Sequence, residues 1–239
     1  MIEVQNISKN FGAKQALYDV TFTLPDSGII ALIGENGAGK STLMRIMCGY
    51  ILPTKGNVKI YGHDVYDERI SALKHIGYVP EISALYGDMT VYDFLMWIAG
   101  IWNIKDKNAA LKDVSKQMKI VEVLNNKIDS LSKGFKKRVE IASAILHQPD
   151  FLILDEPTDG LDPNQKYDIR QFMTEYAKTH IVLISTHVLE DVEIANRVIM
   201  LSSGQIIKDT DIDDFKKISK NKDMGEAFRI LSKQKKGTK

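Results

Sequence analysis

Cysteine is almost missing from this chain of 239 residues. Cys48 is the single one, so an internal disulfide and a cysteine-based metal cluster are both excluded, and a reducing compartment is expected. Cys48 follows Met47 in an apolar helical stretch, which predicts a buried, unreactive thiol. Long apolar runs are missing too. The longest, Phe94 to Trp102, has nine residues, and a membrane span needs about twenty. Met1-Ile2-Glu3-Val4 does not start a charged segment followed by an apolar one, so no secretory leader is expected. A charge bias is absent: the net charge is +1 with 26% charged residues, so no global field marks a nucleic-acid binder. Sustained heptads are absent, which excludes a long coiled coil. The expectation is a cytosolic chain whose membrane contact goes through a partner.

What is present begins with Gly34-Glu35-Asn36-Gly37-Ala38-Gly39-Lys40-Ser41-Thr42. This fits the phosphate-loop pattern of Gly, four residues, Gly-Lys and Ser or Thr. A buried strand is predicted before it, over Gly28 to Ile33, and a helix start after it, over Thr42 to Met47. Glycines let backbone N–H groups turn inward around phosphate oxygens, and a helix start adds its positive dipole end. Lys40 would sit on the β- and γ-phosphates, and the Ser41 hydroxyl would ligate Mg²⁺. A Gly-rich turn that binds nothing would leave Lys40-Ser41 without a packing role.

The N-terminal part alternates as β-structure, with antiparallel strands expected over residues 2–5 and 17–24. Phe11 lies between them in Asn10-Phe11-Gly12; it is either a core residue or a stacking platform for a purine ring. Residues 67–130 lean helical, apart from a short strand at Ile76–Val79 that Pro80 ends. Trp97, Trp102, Tyr86, Tyr92 and Phe94 fall there, as packing for a helical subdomain or as a docking groove for a partner helix. Lys105 to Asn126 reads as a solvated amphipathic helix with Leu111, Val114, Met118 and Val121 on its apolar face.

Ser132 suits a helix N-cap ahead of Val139 to Leu146, and Ser132-Lys133-Gly134 is also an anion-binding geometry. Phe151-Leu152-Ile153-Leu154 is the continuous apolar run of a strand buried on both faces. It delivers Asp155 and Glu156 at its C-terminal end, where α/β ligand sites open. Asp155 would organise the Mg²⁺ shell and Glu156 would polarise the attacking water as general base. A second such strand, Ile181 to Ser185, ends in Thr186-His187, and His187 is placed to contact the γ-phosphate. A final hairpin is expected to turn at Ser203-Gly204. From Lys216 onward there are nine Lys or Arg against two Asp or Glu; this reads as a solvated helix with a frayed end, with attraction to anionic lipid as the alternative.

The order phosphate loop, helical insert, Leu131-Ser132-Lys133-Gly134, Asp155-Glu156-Pro157-Thr158, Gly160-Leu161-Asp162, then Thr186-His187 resembles the ATP-binding cassette of ABC transporters over about residues 1–210. The resemblance implies an α/β P-loop NTPase with a mixed RecA-like core, an N-terminal antiparallel β-subdomain and a helical subdomain at about 82–145, followed by a polar basic tail at 211–239. It assigns Phe11 to adenine stacking and Gly34, Asn36, Gly37, Ala38, Gly39, Lys40, Ser41 and Thr42 to Walker A. Leu131 to Phe135 becomes the signature loop and Phe151 to Glu156 becomes Walker B. Asp162 falls in the D-loop, and His187 is the switch histidine. It implies a homodimer paired head to tail, each ATP lying between one copy's Lys40 and the other's Ser132 and Gly134.

Two positions depart from the usual pattern. Glu81 stands where most cassettes have Gln, so it can accept from metal-bound water but cannot donate when ionised. Lys133 and Phe135 stand where Gly and Gln are usual. These variants resemble the exporter branch whose ATPase and membrane subunits are separate chains. The expected function is therefore an ATP-hydrolysing subunit, peripheral on the cytoplasmic face of the inner membrane, with a separate permease docking near residues 81–102 and no nucleic-acid partner. A soluble cassette ATPase acting on ribosomes or nucleic acid, and a small-molecule kinase, are the rival readings.

Overall fold

A computed structural model describes residues 1–82 and 85–234. The first three strands are β1 (Ile2–Phe11), β2 (Lys14–Leu24) and β3 (Gly28–Ile33), followed by α1 (Lys40–Met47). Next come β4 (Lys55–Ile60), β5 (His63–Asp64), α2 (Arg69–Leu73) and β6 (Ile76–Val79). The helical stretch holds α3 (Val91–Ile101), α4 (Lys107–Gln117), two 3-10 turns and α5 (Lys133–Ile145). The chain returns through β7 (Phe151–Asp155), α6 (Pro163–Tyr176), β8 (Ile181–Ser185) and α7 (Leu189–Val192). It ends with β9 (Arg197–Ser202), β10 (Gln205–Asp211), α8 (Ile212–Lys216) and α9 (Met224–Gln234).

Two sheets form. One is antiparallel, in the order β2-β1-β4-β5; the other is mixed, in the order β10-β9-β3-β8-β7-β6. In the mixed sheet β3, β8, β7 and β6 run parallel side by side, and only the β9–β10 pair is antiparallel. Alternation along β3 explains its unbroken apolar run. Ile29, Ala31 and Ile33 pack into one core with the helical subdomain, while Ile30 and Leu32 pack into the other with the antiparallel sheet and α1. Because the four strands are parallel and adjacent, their C-terminal ends open on one edge. That edge carries the loop after β3, the Asp155-Glu156 end of β7, Thr186-His187 after β8 and Glu81 after β6.

Several boundaries differ from the sequence reading. β1 and β2 are longer than expected, so Phe11 ends a strand and only Gly12, at φ 57°, and Ala13 make the turn. The helix after the phosphate loop starts at Lys40, with Gly39 as its left-handed N-cap. α4 stops at Gln117; Lys119 takes φ 53°, and Val121, expected on the apolar face, is 56% exposed. The C-terminal segment is not a solvated helix. Phe215, Met224 and Ala227 are buried in the core, with Phe228 and Leu231 packed against it. The spacing Met224, Ala227, Phe228, Leu231 is a helical stripe, and the high Lys count around it masked this signal. Residues 83–84 of the expected docking segment and 235–239 of the tail lie outside the described residues.

Candidate functional site

A cavity of about 910 Å³ opens at the sheet edge. Its walls include the whole loop from Gly34 to Thr42, with Phe11, Glu81, Glu156 and His187. Four separate strand ends therefore supply one cleft, although these residues span most of the sequence.

The loop is shaped as a cradle. Gly34, Gly37 and Gly39 all have positive φ. A Cβ on Gly34 would run into the carbonyl oxygen of Leu201 on β9, so only glycine lets the loop leave β3 this tightly. Lys40 is 7% exposed, and its Nζ donates to the carbonyl oxygens of Gly34 at 2.8 Å and Glu35 at 3.5 Å. A buried ammonium held by neutral carbonyls of its own loop is poised for an anion in that cradle. Ser41 and Thr42 line the same cavity one step further into α1.

Glu156 stands at φ 49°, an unfavourable region for a residue with a Cβ, and its N–H donates to Ser185 O at 3.0 Å. Its carboxylate is nearly enclosed, with 11% side-chain exposure. His187 Nδ1 lies 2.8 Å from Glu156 Oε2, and the His187 N–H donates to the same oxygen at 3.4 Å. The pair joins a candidate base to an imidazole at the mouth of the phosphate cradle. Asp155 does not line the cavity: it is 2% exposed at the end of β7 and accepts from the Ser185 hydroxyl at 2.5 Å.

Phe11 is 48% exposed on the cavity rim, with Lys9 Nζ 4.9 Å from its ring centre. Its ring is thus offered to the cleft and not to the core. Besides Asp155, the predicted site residues that the structure does not bring into this cavity are Ser132, Gly134 and Asp162. Ser132 is exposed and caps α5, accepting from Phe135 N–H at 3.4 Å. Asp162 caps α6 in a reciprocal box with Gln165. A Cβ on Gly134 would strike the Gln165 side chain, so the first turns of α5 and α6 pack directly on each other.

Sequence reasoning missed two parts of the site. Phe215, Met224 and Phe228, from the C-terminal segment, line the cavity. A hydrogen-bonded cluster of Thr158, Arg170 and Asp191 lies behind it and meets the cavity wall at Thr186, and its residue types are unremarkable in sequence. Among the described residues no group of three His, Cys, Asp or Glu side chains is arranged to hold a metal ion. A divalent cation here would need ligand oxygens from a nucleotide beside Ser41, and that is how Mg²⁺ is commonly held. An open glycine cradle with a buried lysine fits such a nucleotide-borne cation.

The family model for ABC transporters matches residues 17–159, more than half of the chain. The chain is 31% identical to the probable multidrug ABC transporter ATP-binding protein YbhF of Escherichia coli; the match covers 92% of this chain but 39% of that protein. It is 30% identical to the bacitracin transport ATP-binding protein BcrA of Bacillus licheniformis, covering 91% of this chain and 72% of the relative. A solved structure of an ATP-binding subunit of an ABC transporter superposes with TM-score 0.88 at 28% identity, covering 97% of this chain and 99% of that one. The ATP-binding cassette MJ0796, solved as a dimer with ADP and Pi, shares the fold at TM-score 0.80 and 23% identity, with 88% of this chain and 98% of that one covered. Phosphate cradle, mixed sheet and relatives agree: this chain belongs to the ABC transporter family.

Proposed function

We propose that this chain is the ATP-hydrolysing subunit of an ABC exporter, and that two copies pair head to tail around two MgATP to drive a separate membrane permease. One observation carries the reading. Lys40, Ser41, Glu156 and His187 share a cavity, while Ser132 and Asp162 stand outside it as exposed helix caps and Gly134 lies outside it in the buried first turn of α5. A nucleotide held by one copy thus lacks the anion-binding helix start of α5, which a second copy would supply.

In this reading Phe11 stacks on the adenine, the Gly34–Thr42 loop wraps the phosphates, and Lys40 leaves its loop carbonyls for the β- and γ-phosphates. Glu156 takes the proton of the attacking water, and His187 holds the γ-phosphate. Ser41 and Glu81, on the cavity wall, would hold the Mg²⁺, whose chemistry is to neutralise charge on the phosphates, and Asp155, enclosed behind that wall, would organise its outer shell. Residues 1–210 form the ATPase domain, with the helical subdomain at about 82–145 and a further segment at 211–239. The permease docks near residues 81–102, where Tyr86, Trp97 and Ile101 are more than 40% exposed and Tyr86 and Trp97 pack edge to face at 5.2 Å. Among the described residues no helix is long and apolar enough to cross a membrane; in this reading the permease holds the chain peripherally on the cytoplasmic face of the inner membrane. The multidrug and bacitracin relatives support export.

The test is Glu156→Gln. It should bind ATP, form dimers by light scattering and lose turnover. Captured from native membranes in the ATP-bound state, it should bring down a multi-span membrane protein. Hydrolysis near the wild-type rate would remove Glu156 from its role, and ribosomal or nucleic-acid partners would overturn the transport reading.

A further inference from the structure

Asp191 is a carboxylate with 0% exposure, on α7, four residues past His187. Its Oδ2 accepts from the Thr158 hydroxyl at 2.5 Å and the Thr186 hydroxyl at 3.2 Å, and its Oδ1 accepts from Arg170 Nε at 2.6 Å. Thr158 is also fully buried, and Arg170 is 19% exposed. Each partner has a telling address. Thr158 follows Glu156 by two residues, Thr186 immediately precedes His187, and Arg170 lies on α6, the helix capped by Asp162. Thr186 Oγ1 also accepts from Val188 N–H at 3.0 Å, pinning the turn that carries His187.

A buried ion pair is a poor source of stability, because apolar residues of similar size commonly do as well. What it supplies is geometry: a charged, fully hydrogen-bonded group has few arrangements that satisfy it. Two residues before Arg170, Asp168 accepts from Arg138 Nη2 on α5 at 2.7 Å and from Lys119 Nζ at 2.8 Å. α6 is therefore bound on one side to the helix led by Ser132 and Gly134, and on the other to the loops of Glu156 and His187. Asp191, Arg170 and Thr158 do not line the cavity; of the cluster, Thr186 reaches its wall, beside His187.

We propose that Asp191, with Arg170 and Thr158, is a positioning unit for ATP hydrolysis. It fixes the backbone that carries Glu156 and His187 and locks that backbone to α6. The inference rests on the ATPase reading of the site. It separates two properties: the cradle that binds nucleotide is untouched by the cluster, whereas the alignment of Glu156 with His187 depends on it.

The experiment compares the full-length wild type with Thr158→Val, Thr158→Ser, Asp191→Asn and the Thr158→Val/Asp191→Asn double variant. Steady-state ATP hydrolysis gives kcat and KM, equilibrium titration with a fluorescent ATP analogue gives affinity, and melting temperature reports folding. Valine keeps the shape of threonine and removes the hydroxyl. Asparagine leaves Arg170 facing a neutral acceptor. A misplacement of about 1 Å costs about 10²-fold in rate, so a partial loss of alignment should lower kcat at least about tenfold in both single variants. KM and affinity should stay within about threefold, because uniform nucleotide binding is not touched. Thr158→Ser should recover most of the rate, and the double variant should lose little more than one single variant. If Asp191→Asn does not fold, the Thr158 pair decides. A kcat within about twofold of wild type for folded Thr158→Val, or kcat and affinity falling together, overturns the proposal. Absence of hydrolysis by the wild type would instead remove the ATPase reading, and the proposal with it.

Discussion

Lowering the pH from about 7.5 to about 5 should destabilise the folded chain through His147 alone by about 2 kcal/mol. The residue follows the C-cap of α5, and its ring lies flat on Trp102, with centroids 3.8 Å apart and planes 10° from parallel. Nε2 donates to the carbonyl oxygen of Ile76 at 3.1 Å, and Nδ1 is buried with no hydrogen-bond partner. A second proton would therefore put an unpaired donor and a charge into apolar surroundings. Burial holds the imidazole down at about 4, against an ordinary 6.5, with the Ile76 carbonyl pulling weakly the other way. The sign follows from proton counting. Between these two values the unfolded chain binds the proton and the folded chain does not, so stability falls as pH falls. The loss grows to about 3 kcal/mol near pH 4, where the folded form itself begins to protonate. Urea midpoints for wild type and His147→Gln, measured at closely spaced pH, isolate this contribution from every other titrating group. Glutamine can still donate to Ile76 and does not titrate. The gap between the two proteins should shrink by about 2 kcal/mol from neutral pH to about pH 5. Parallel curves would refute the argument that burial keeps His147 neutral.

Lys40→Ala should weaken ATP binding sharply with little change in melting temperature, because the buried ammonium bonds only to carbonyls of its own loop; unchanged affinity in titration would count against the cradle. Phe215→Ala removes a 1% exposed ring from beneath the C-terminal segment and should cost about 3–5 kcal/mol in denaturant unfolding, and a loss under about 1 kcal/mol would show α8 to be dispensable. Cys48, fully buried with its thiol held well above the usual range by desolvation and by Asp155, should resist alkylation until the chain unfolds; labelling under native conditions, read by mass spectrometry, would contradict that. Lys119 and Arg138 hold the Asp168 carboxyl below its ordinary 3.8. Its stabilising effect is thus complete above that value and lost as pH falls through the folded value. Asp168→Asn should flatten the acid limb of the stability curve while lowering stability at neutral pH.

Local chemistry was legible where the chain itself carries the pattern. Gly34 to Thr42 could be placed between a strand and a helix because a glycine-rich turn, an apolar run and a helix start are all short-range features. The runs at Phe151–Leu154 and Ile181–Ile184 read as strands buried on both faces because they are short and bounded by turn residues, and the second is rich in β-branched residues; the longer apolar run Phe94 to Trp102 is helical. Helix ends were less legible. The stop at Gln117 depends on Lys119 adopting a positive φ, which nothing in its side chain requires.

The sequence by itself therefore determined the fold class, the family and the chemistry of the phosphate loop, since each depends on residue type and spacing along the chain. Only the tertiary structure decided which strand ends become neighbours. The order β3-β8-β7-β6 brings Glu156 within 2.8 Å of His187, leaves Ser132 and Gly134 outside the cavity, and seals Asp191 against Arg170 and Thr158. It also showed that a lysine-rich C-terminal segment buries Phe215, Met224 and Ala227 against the core. The physical reason is the same in each case: hydrogen bonding between distant strands and burial against distant surfaces are set by the packing of the whole chain, and no window of local sequence contains them.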